Sequence, residues 1–130
     1  IVCSHSNCKA LCDVARNLTD DQMRALAQKG GVQQITLYNG FLRNDDQEAS
    51  IMDAMAHLDH AVDIMGIDHV GIGTDFDGDG GVRGIADASE VILFTEQLLA
   101  KRFSREDIAK IWGGNWLRVM NQVQQYNKGQ

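Results

Sequence analysis

A histidine and an aspartate in this chain have residue types that suit joint chemistry. His5 lies in Ser4-His5-Ser6 and Asp75 in Thr74-Asp75-Phe76. An imidazole and a carboxylate brought together serve either a divalent-metal site or a proton-transfer site. Either group alone is more often a hydrogen-bonded structural residue, so the pair matters only if the fold joins it. Arg16 follows His5 in the same stretch of chain. A guanidinium there could clamp a substrate carboxylate bidentately, although spacing alone makes a surface arginine the ordinary reading.

Other clusters carry less. Asp75-Phe76-Asp77-Gly78-Asp79-Gly80 begins like a calcium loop, but Ala86 stands where such a loop needs its bidentate Glu. The segment before it reads as a strand rather than a helix, so calcium binding of that type is excluded. His57 and His60 share one helix face without an HExxH pattern. They read as histidines hydrogen-bonded at a helix–sheet junction, and His69 as structural. Cys3, Cys8 and Cys12 form no CxxC pair. They read as reduced, mostly buried thiols of a reducing compartment, which favours the cytoplasm. Trp112 and Trp116, on either side of Gly113-Gly114, read as core anchors. No GxSxG, Walker-A or dinucleotide fingerprint is present.

The elements that must position these groups follow from periodicity and caps. Ile1–His5 reads as a short buried strand, and Asn7–Asn17 as a loop or short turn. Thr19-Asp20-Asp21-Gln22 is a capping box, and its helix runs to about Lys29 before Gly30-Gly31. Val32–Tyr38 reads as a strand and Asn39–Gln47 as a polar loop. Ile51, Ala54, Met55, Leu58, Ala61, Val62 and Met65 trace the apolar face of a helix over Glu48–Met65. His69–Thr74 is a strand whose alternate glycines permit close backbone approach, followed by a Gly- and Asp-rich loop, Asp75–Ala88. Helices follow from Ser89 to about Lys101, from Ser104 to Gly113-Gly114, and from Trp116 to about Tyr126 after an Asn115 cap. Strands alternating with helices predict a parallel α/β sheet. In such sheets ligands gather at the C-terminal strand ends, which here carry His5, Tyr38 and Asp75.

Size and charge bound the function. The chain has 130 residues, 13 Gly, no Pro and a formal charge of −6. It is too short for a complete (β/α)8 barrel of about 250 residues. With 12 Lys and Arg against 18 Asp and Glu there is no basic stripe, which argues against a nucleic-acid partner. No apolar run suits a membrane span of about 20 residues, and the polar run 124–130 carries no anchor signal. His5 and Asn7 interrupt the apolar start, so no leader is expected. Ile1 rather than Met opens the chain, so a missing upstream part is expected. Only three strands are predicted, a poor independent unit with two open edges.

Several of these segments together resemble a known family. Ser4-His5-Ser6-Asn7-Cys8, Cys12-Asp13 and Arg16-Asn17-Leu18-Thr19-Asp20 resemble the second-half signature of the membrane dipeptidase (renal dipeptidase) family of zinc peptidases. His57-Leu58-Asp59-His60, followed by the run 66–78 from Gly66-Ile67-Asp68-His69 to Asp75-Phe76-Asp77-Gly78, resembles its other signature. Gly113-Gly114-Asn115-Trp116-Leu117-Arg118-Val119 resembles its C-terminal helix start. The resemblance implies an amidohydrolase-type TIM (β/α)8 barrel holding two zinc ions. Residues 1–130 would be one C-terminal fragment of it, the last three βα units plus terminal helices.

By the same resemblance His5 is a metal ligand at the end of the sixth barrel strand. Arg16 holds the terminal carboxylate of a dipeptide substrate, and Tyr38 lines the pocket. Asp75, ending the eighth strand, is the catalytic acid that handles the proton going to the leaving amine. His57 and His60 do not map onto the family's metal ligands. The other ligands, a His and an Asp of the first strand, a bridging Glu and a His of the fifth strand, have no counterpart in this chain. The fragment alone is therefore expected to be inactive, needing the N-terminal barrel half or a self-associated copy. Family members often have Pro before the Arg, in the Tyr38 loop and after Asp77; here Ala15, Asn39 and, nearby, Arg83 stand instead. The rival expectations are hydrolysis of another small amide or ester on the same fold, and a non-catalytic half-barrel serving binding or assembly.

Overall fold

The computed structural model describes residues 1–45 and 47–128. Three strands, β1 (Val2–Cys3), β2 (Val32–Ile35) and β3 (Val70–Ile72), form one sheet in chain order. Both pairings are parallel, with Val2 opposite Val32, Gln33 opposite Val70 and Ile35 opposite Ile72. The β1–β2 crossover carries helix α1 (Asp20–Gln28); the β2–β3 crossover carries α2 (Asn39–Leu42) and α3 (Ile51–Met65). Helices α4 (Val91–Ala100), α5 (Arg105–Ala109) and α6 (Asn115–Lys128) complete the chain. Because both crossovers return to the same side, His5, Tyr38 and Asp75 all follow the C-terminal ends of parallel strands.

The core forms where the apolar faces of α1 and α3 meet the sheet. Met23 of α1, Met55 and Leu58 of α3, and Ile35 and Leu37 at β2 are all fully buried. Phe94 of α4 joins them and meets Trp112 edge-on at 5.9 Å between centroids. Trp112 also donates from Nε1 to Thr95 Oγ1 at 2.8 Å, so it anchors the core as expected. Trp116, in the first turn of α6, instead lies half-buried beside β1.

The sheet curls strongly. In a flat sheet β1 and β3, separated by β2, would stand about 10 Å apart. Yet a Cβ built on Gly73, just past β3, would lie 2.3 Å from the Ser4 carbonyl oxygen, just past β1. The ends of the outer strands thus close toward each other over Gln34, and only glycine fits at residue 73.

Element ends differ from the sequence expectation in instructive ways. All three strands are shorter than expected: the Asn7 side chain takes over the pairing past the ends of β1 and β2, and a 3-10 turn, Ile67–His69, occupies the expected start of β3. Helix α3 begins at Ile51 rather than Glu48, because Ser50 and Asp53 form a reciprocal capping box. Asp87, not Ser89, caps the turn that leads into α4, its Oδ1 accepting from Ser89 N at 2.9 Å. The expected polar loop 39–47 contains the single turn α2; Asp46, within it, lies outside the described residues, as do the last two of the polar run 124–130. Gly113-Gly114 does not stop the helix: a π-helical turn, Lys110–Gly114, kinks the backbone and feeds directly into α6. Asn115 is therefore helical rather than a cap, and its amide donates to Ile67 O and Val70 O at 2.7 and 2.9 Å. Arg118 reaches Gly30 O and Asp68 O at the same end, so α6 ties down the N-terminal ends of β2 and β3.

Candidate functional site

The curl of the sheet brings two of the chemistry-bearing residues together. His5 Nε2 lies 3.8 Å from Asp75 Oδ1, with both side chains about one-third exposed. His5 Nδ1 is engaged by Ser4 Oγ at 2.9 Å, which leaves Nε2 as the outward-facing nitrogen. Asp75 holds a left-handed backbone, φ 65°, tolerable for Asp but uncommon for a residue with a side chain. Its carbonyl accepts from Gly78 N at 2.9 Å and Gly80 N at 2.8 Å, so the following loop folds back over it. A Cβ on Gly80 would lie 2.2 Å from Thr74 O, which bars any side chain there. The Asp/Gly run is thus a tight turn that presents Asp75. An open cleft of about 420 Å3, lined in part by Ser4, His5, Gln34 and Trp116, runs beside this pair.

Arg16 reaches the same place from the β1–α1 loop. Its Nε donates to the His5 carbonyl at 3.1 Å, and its guanidinium lies 5.7 Å from the centre of the Phe41 ring. Phe41 in turn meets Tyr38 edge-on at 4.6 Å. His5, Arg16, Tyr38 and Asp75 therefore share one end of the sheet, with the direct links His5–Asp75, Arg16–His5 and, through Phe41, Arg16–Tyr38.

A buried polar network holds the two segments that carry His5, Arg16 and Tyr38. Asn7 mimics a strand residue: its Nδ2 donates to Thr36 O at 2.9 Å while its Oδ1 accepts from Thr36 N at 2.7 Å. This side-chain pairing extends the sheet past β1. Asn17 Oδ1 accepts from Asn7 N at 3.0 Å, and its Nδ2 donates to Cys12 O and Phe41 O. Gln33 Nε2 donates to Ser6 O and Asn7 O. His57, 1% exposed, accepts from Cys8 N at Nδ1, and its Nε2–H donates to Leu42 O, each at 3.1 Å. The Cys8 N–H can only donate, so the ring is neutral with its proton on Nε2. Burial, ahead of the neighbouring charges, holds the His57 pKa below the ordinary histidine value.

The remaining histidines have structural partners: His60 Nε2 meets Asp20 Oδ1 at 2.7 Å, a contact between α3 and α1 rather than the expected helix–sheet junction, and His69 Nδ1 meets Gly31 O. The cysteines are free thiols, Cys8 and Cys12 buried. Burial, with the Asp20 carboxylate adding to the rise, pushes the Cys8 thiol up to about 12, unsuited to nucleophilic chemistry. Phe41, Asn7, Asn17 and Gln33 were not singled out from the sequence. Loop asparagines read as turn formers, and only the three-dimensional partner reveals a buried amide pairing.

As a metal site the arrangement is partial. His5 Nε2 and Asp75 offer two donors of suitable chemistry. Among the described residues no group of three or more His, Cys, Asp or Glu gathers closely enough to hold an ion. A catalytic zinc typically takes about three protein ligands, so the donors of this chain do not complete one. Among the described residues no helix is long and apolar enough to cross a membrane.

Comparisons with known proteins bear on the family and the fold. The model of the family "Membrane dipeptidase (Peptidase family M19)" matches residues 1–130. An "Uncharacterized protein in pqqA 5'region" of Klebsiella pneumoniae is 38% identical over 128 residues, covering 96% of this chain and 47% of that protein. The structure of the probable dipeptidase PvdM from Pseudomonas aeruginosa superposes with a TM-score of 0.91 at 29% identity, covering 96% of this chain and 45% of that one. A metallopeptidase from Rhodobacter sphaeroides, solved with a phosphinate mimic of the dipeptide L-Ala-D-Ala, superposes with a TM-score of 0.83 at 34% identity. That match covers 88% of this chain and 34% of the other. The chain spans between 25% and 47% of the length of the curated relatives it matches.

Proposed function

The chain belongs to the membrane dipeptidase family, and from that premise we propose that its parent protein is a zinc-dependent dipeptidase. In this reading residues 1–130 form the last three βα units and terminal helices of an eight-stranded barrel. The curl of the sheet supports it, as does the sequential parallel order of the strands. So does the apolar surface left open beside β1, where Ile1, Val2, Met120 and Val123 are all exposed. Upstream strands of the parent would cover that edge and bring the missing metal ligands. Without them the chain has too few donors and is inactive alone.

The observation that carries the proposal is the meeting of His5, Asp75 and Arg16 at the C-terminal strand ends. His5 supplies one metal ligand through Nε2, with Ser4 orienting the ring through Nδ1. With the upstream ligands in place, a bound zinc pair would supply an activated water and a polarised carbonyl. Arg16 receives the terminal carboxylate of the dipeptide and so limits the site to short peptides. Tyr38 lines the pocket beside it. Asp75, held near His5 by its tight turn, carries the proton that passes to the leaving amine.

The test compares the 130-residue chain with the parent protein, measuring zinc per chain and hydrolysis of an unblocked dipeptide. The parent should bind zinc and hydrolyse the substrate; the chain alone should do neither. Arg16→Ala in the parent should raise KM by roughly 10- to 100-fold, the loss of a charge-assisted bidentate contact. Chelator-sensitive activity in the isolated chain would overturn the claim of inactivity. An unchanged KM in Arg16→Ala would overturn the carboxylate assignment.

A further inference from the structure

We propose that Phe41 is a positioning residue that aims the Arg16 guanidinium, and thereby sets how strictly the site demands a free substrate carboxylate. The proposal rests on the reading of Arg16 given above. Arg16 is an exposed side chain, and an unrestrained exposed arginine would lose considerable rotamer freedom on gripping a ligand. Two contacts remove that freedom in advance. The Nε–H is taken by the His5 carbonyl at 3.1 Å, and the guanidinium carbon sits over the Phe41 ring, 5.7 Å from its centre. With Nε occupied on one edge, the two Nη groups form the edge left for a carboxylate. Of the donor fork, it is this end-on pair that can meet both oxygens of a carboxylate.

The contact is set by the backbone, not by a chance meeting of two surface groups. Asn17, the residue after Arg16, donates from Nδ2 to the Phe41 carbonyl at 2.8 Å. Asn17 is buried, so the loop carrying the arginine and the turn carrying the ring are fixed to one another beneath the surface. Phe41 N also donates to Tyr38 O at 3.1 Å, which closes α2 and holds the ring in place. The Tyr38 ring meets that of Phe41 edge-on, with 75° between their planes, and packs so closely over Gly40 that a Cβ there would lie 2.9 Å from Tyr38 Cε1. Tyr38 therefore braces Phe41, and Phe41 carries Arg16. The ring acts through the guanidinium and needs no contact with substrate.

Phe41→Leu removes the π face while keeping an apolar side chain, and Phe41→Tyr keeps the face. Both are made in the parent protein and assayed on an unblocked dipeptide and on the same dipeptide as its C-terminal amide. Phe41→Leu should raise KM for the free carboxylate about two- to five-fold, the range of an exposed cation–π contact, with kcat unchanged. KM for the amide should not move, and Phe41→Tyr should restore the wild-type value. A KM that stays fixed in Phe41→Leu, an equal rise on both substrates, or a fall in kcat matching the change in KM would overturn the proposal. Arg16→Ala separates the two levels of failure. If that variant keeps the wild-type preference for the free carboxylate, or if the parent hydrolyses no dipeptide, the functional reading fails and takes the inference with it. If it loses the preference while Phe41→Leu retains it, only the role of Phe41 falls.

Discussion

His57 is the most sensitive joint beneath the site, and its titration should be visible in stability. The ring is buried and neutral, with Nδ1 accepting from Cys8 N and Nε2–H donating to Leu42 O. These two bonds join α3 to the loop that carries His5 and Arg16 and to the α2 turn that follows Tyr38. A protonated ring would place an N–H against the Cys8 N–H and a cation in the core. The folded state therefore resists protonation, and burial lowers the folded pKa below the unfolded value of about 6.5. The sign follows: the contribution is fully present above about pH 6.5 and is lost as pH falls through the depressed folded value. In that window unfolding takes up as much as one proton, so stability falls by up to about 1.4 kcal/mol per pH unit. His57→Gln retains a donor and an acceptor but cannot titrate; its stability should lack this component of the slope. His57→Phe leaves two buried backbone groups without partners and should cost about 2–5 kcal/mol. Urea unfolding of all three proteins between about pH 7 and about pH 5 makes the comparison, with the other titrating groups common to each. If wild type and His57→Gln lose stability in parallel across that range, the neutral-histidine argument is wrong.

Two further substitutions test the scaffold. Asn7→Ala strips both partners from the buried backbone of Thr36 and should lower the unfolding free energy by about 2–5 kcal/mol, read as a reduced urea midpoint at unchanged slope. Gly73→Ala drives a Cβ to within 2.3 Å of the Ser4 carbonyl, which cannot rotate away. It should cost about 1–3 kcal/mol and, by spreading the strand ends that carry His5 and Asp75, depress kcat of the parent enzyme more than KM.

Much of this arrangement is legible along the chain. The capping box Thr19–Gln22 and the apolar repeat from Ile51 to Met65 are local signals, and both helices form where those signals point. The strand-end rule places His5, Tyr38 and Asp75 at one end because parallel connectivity follows from alternating elements. The strand lengths were less legible. Asn7 pairs with Thr36, 29 residues away, and a side chain substituting for a ladder residue leaves no periodic trace. His57 reads as a hydrogen-bonded structural histidine and is one, but its partners are the loop residue Cys8 and Leu42 of α2 rather than the sheet, and only the folded chain brings them together. Phe41 carries no signal at all in a segment that reads as a polar loop.

The division has a physical cause. Three of the groups with reactive chemistry, His5, Tyr38 and Asp75, follow strands, and the presence and order of those strands are written in short-range patterns of apolar residues and glycine. The groups that hold them, Asn7, Asn17, Gln33 and His57, act through single hydrogen bonds to backbone atoms distant in sequence. Buried as they are, each missing bond carries the full desolvation penalty of the partner left behind. The site's geometry therefore depends on residues that do not touch it: the curl that Gly73 permits sets the His5–Asp75 approach, and the Asn17 bond to Phe41 sets where Arg16 points. A variant that preserved all four reactive side chains but lost Asn17 would keep the donor set and lose its alignment.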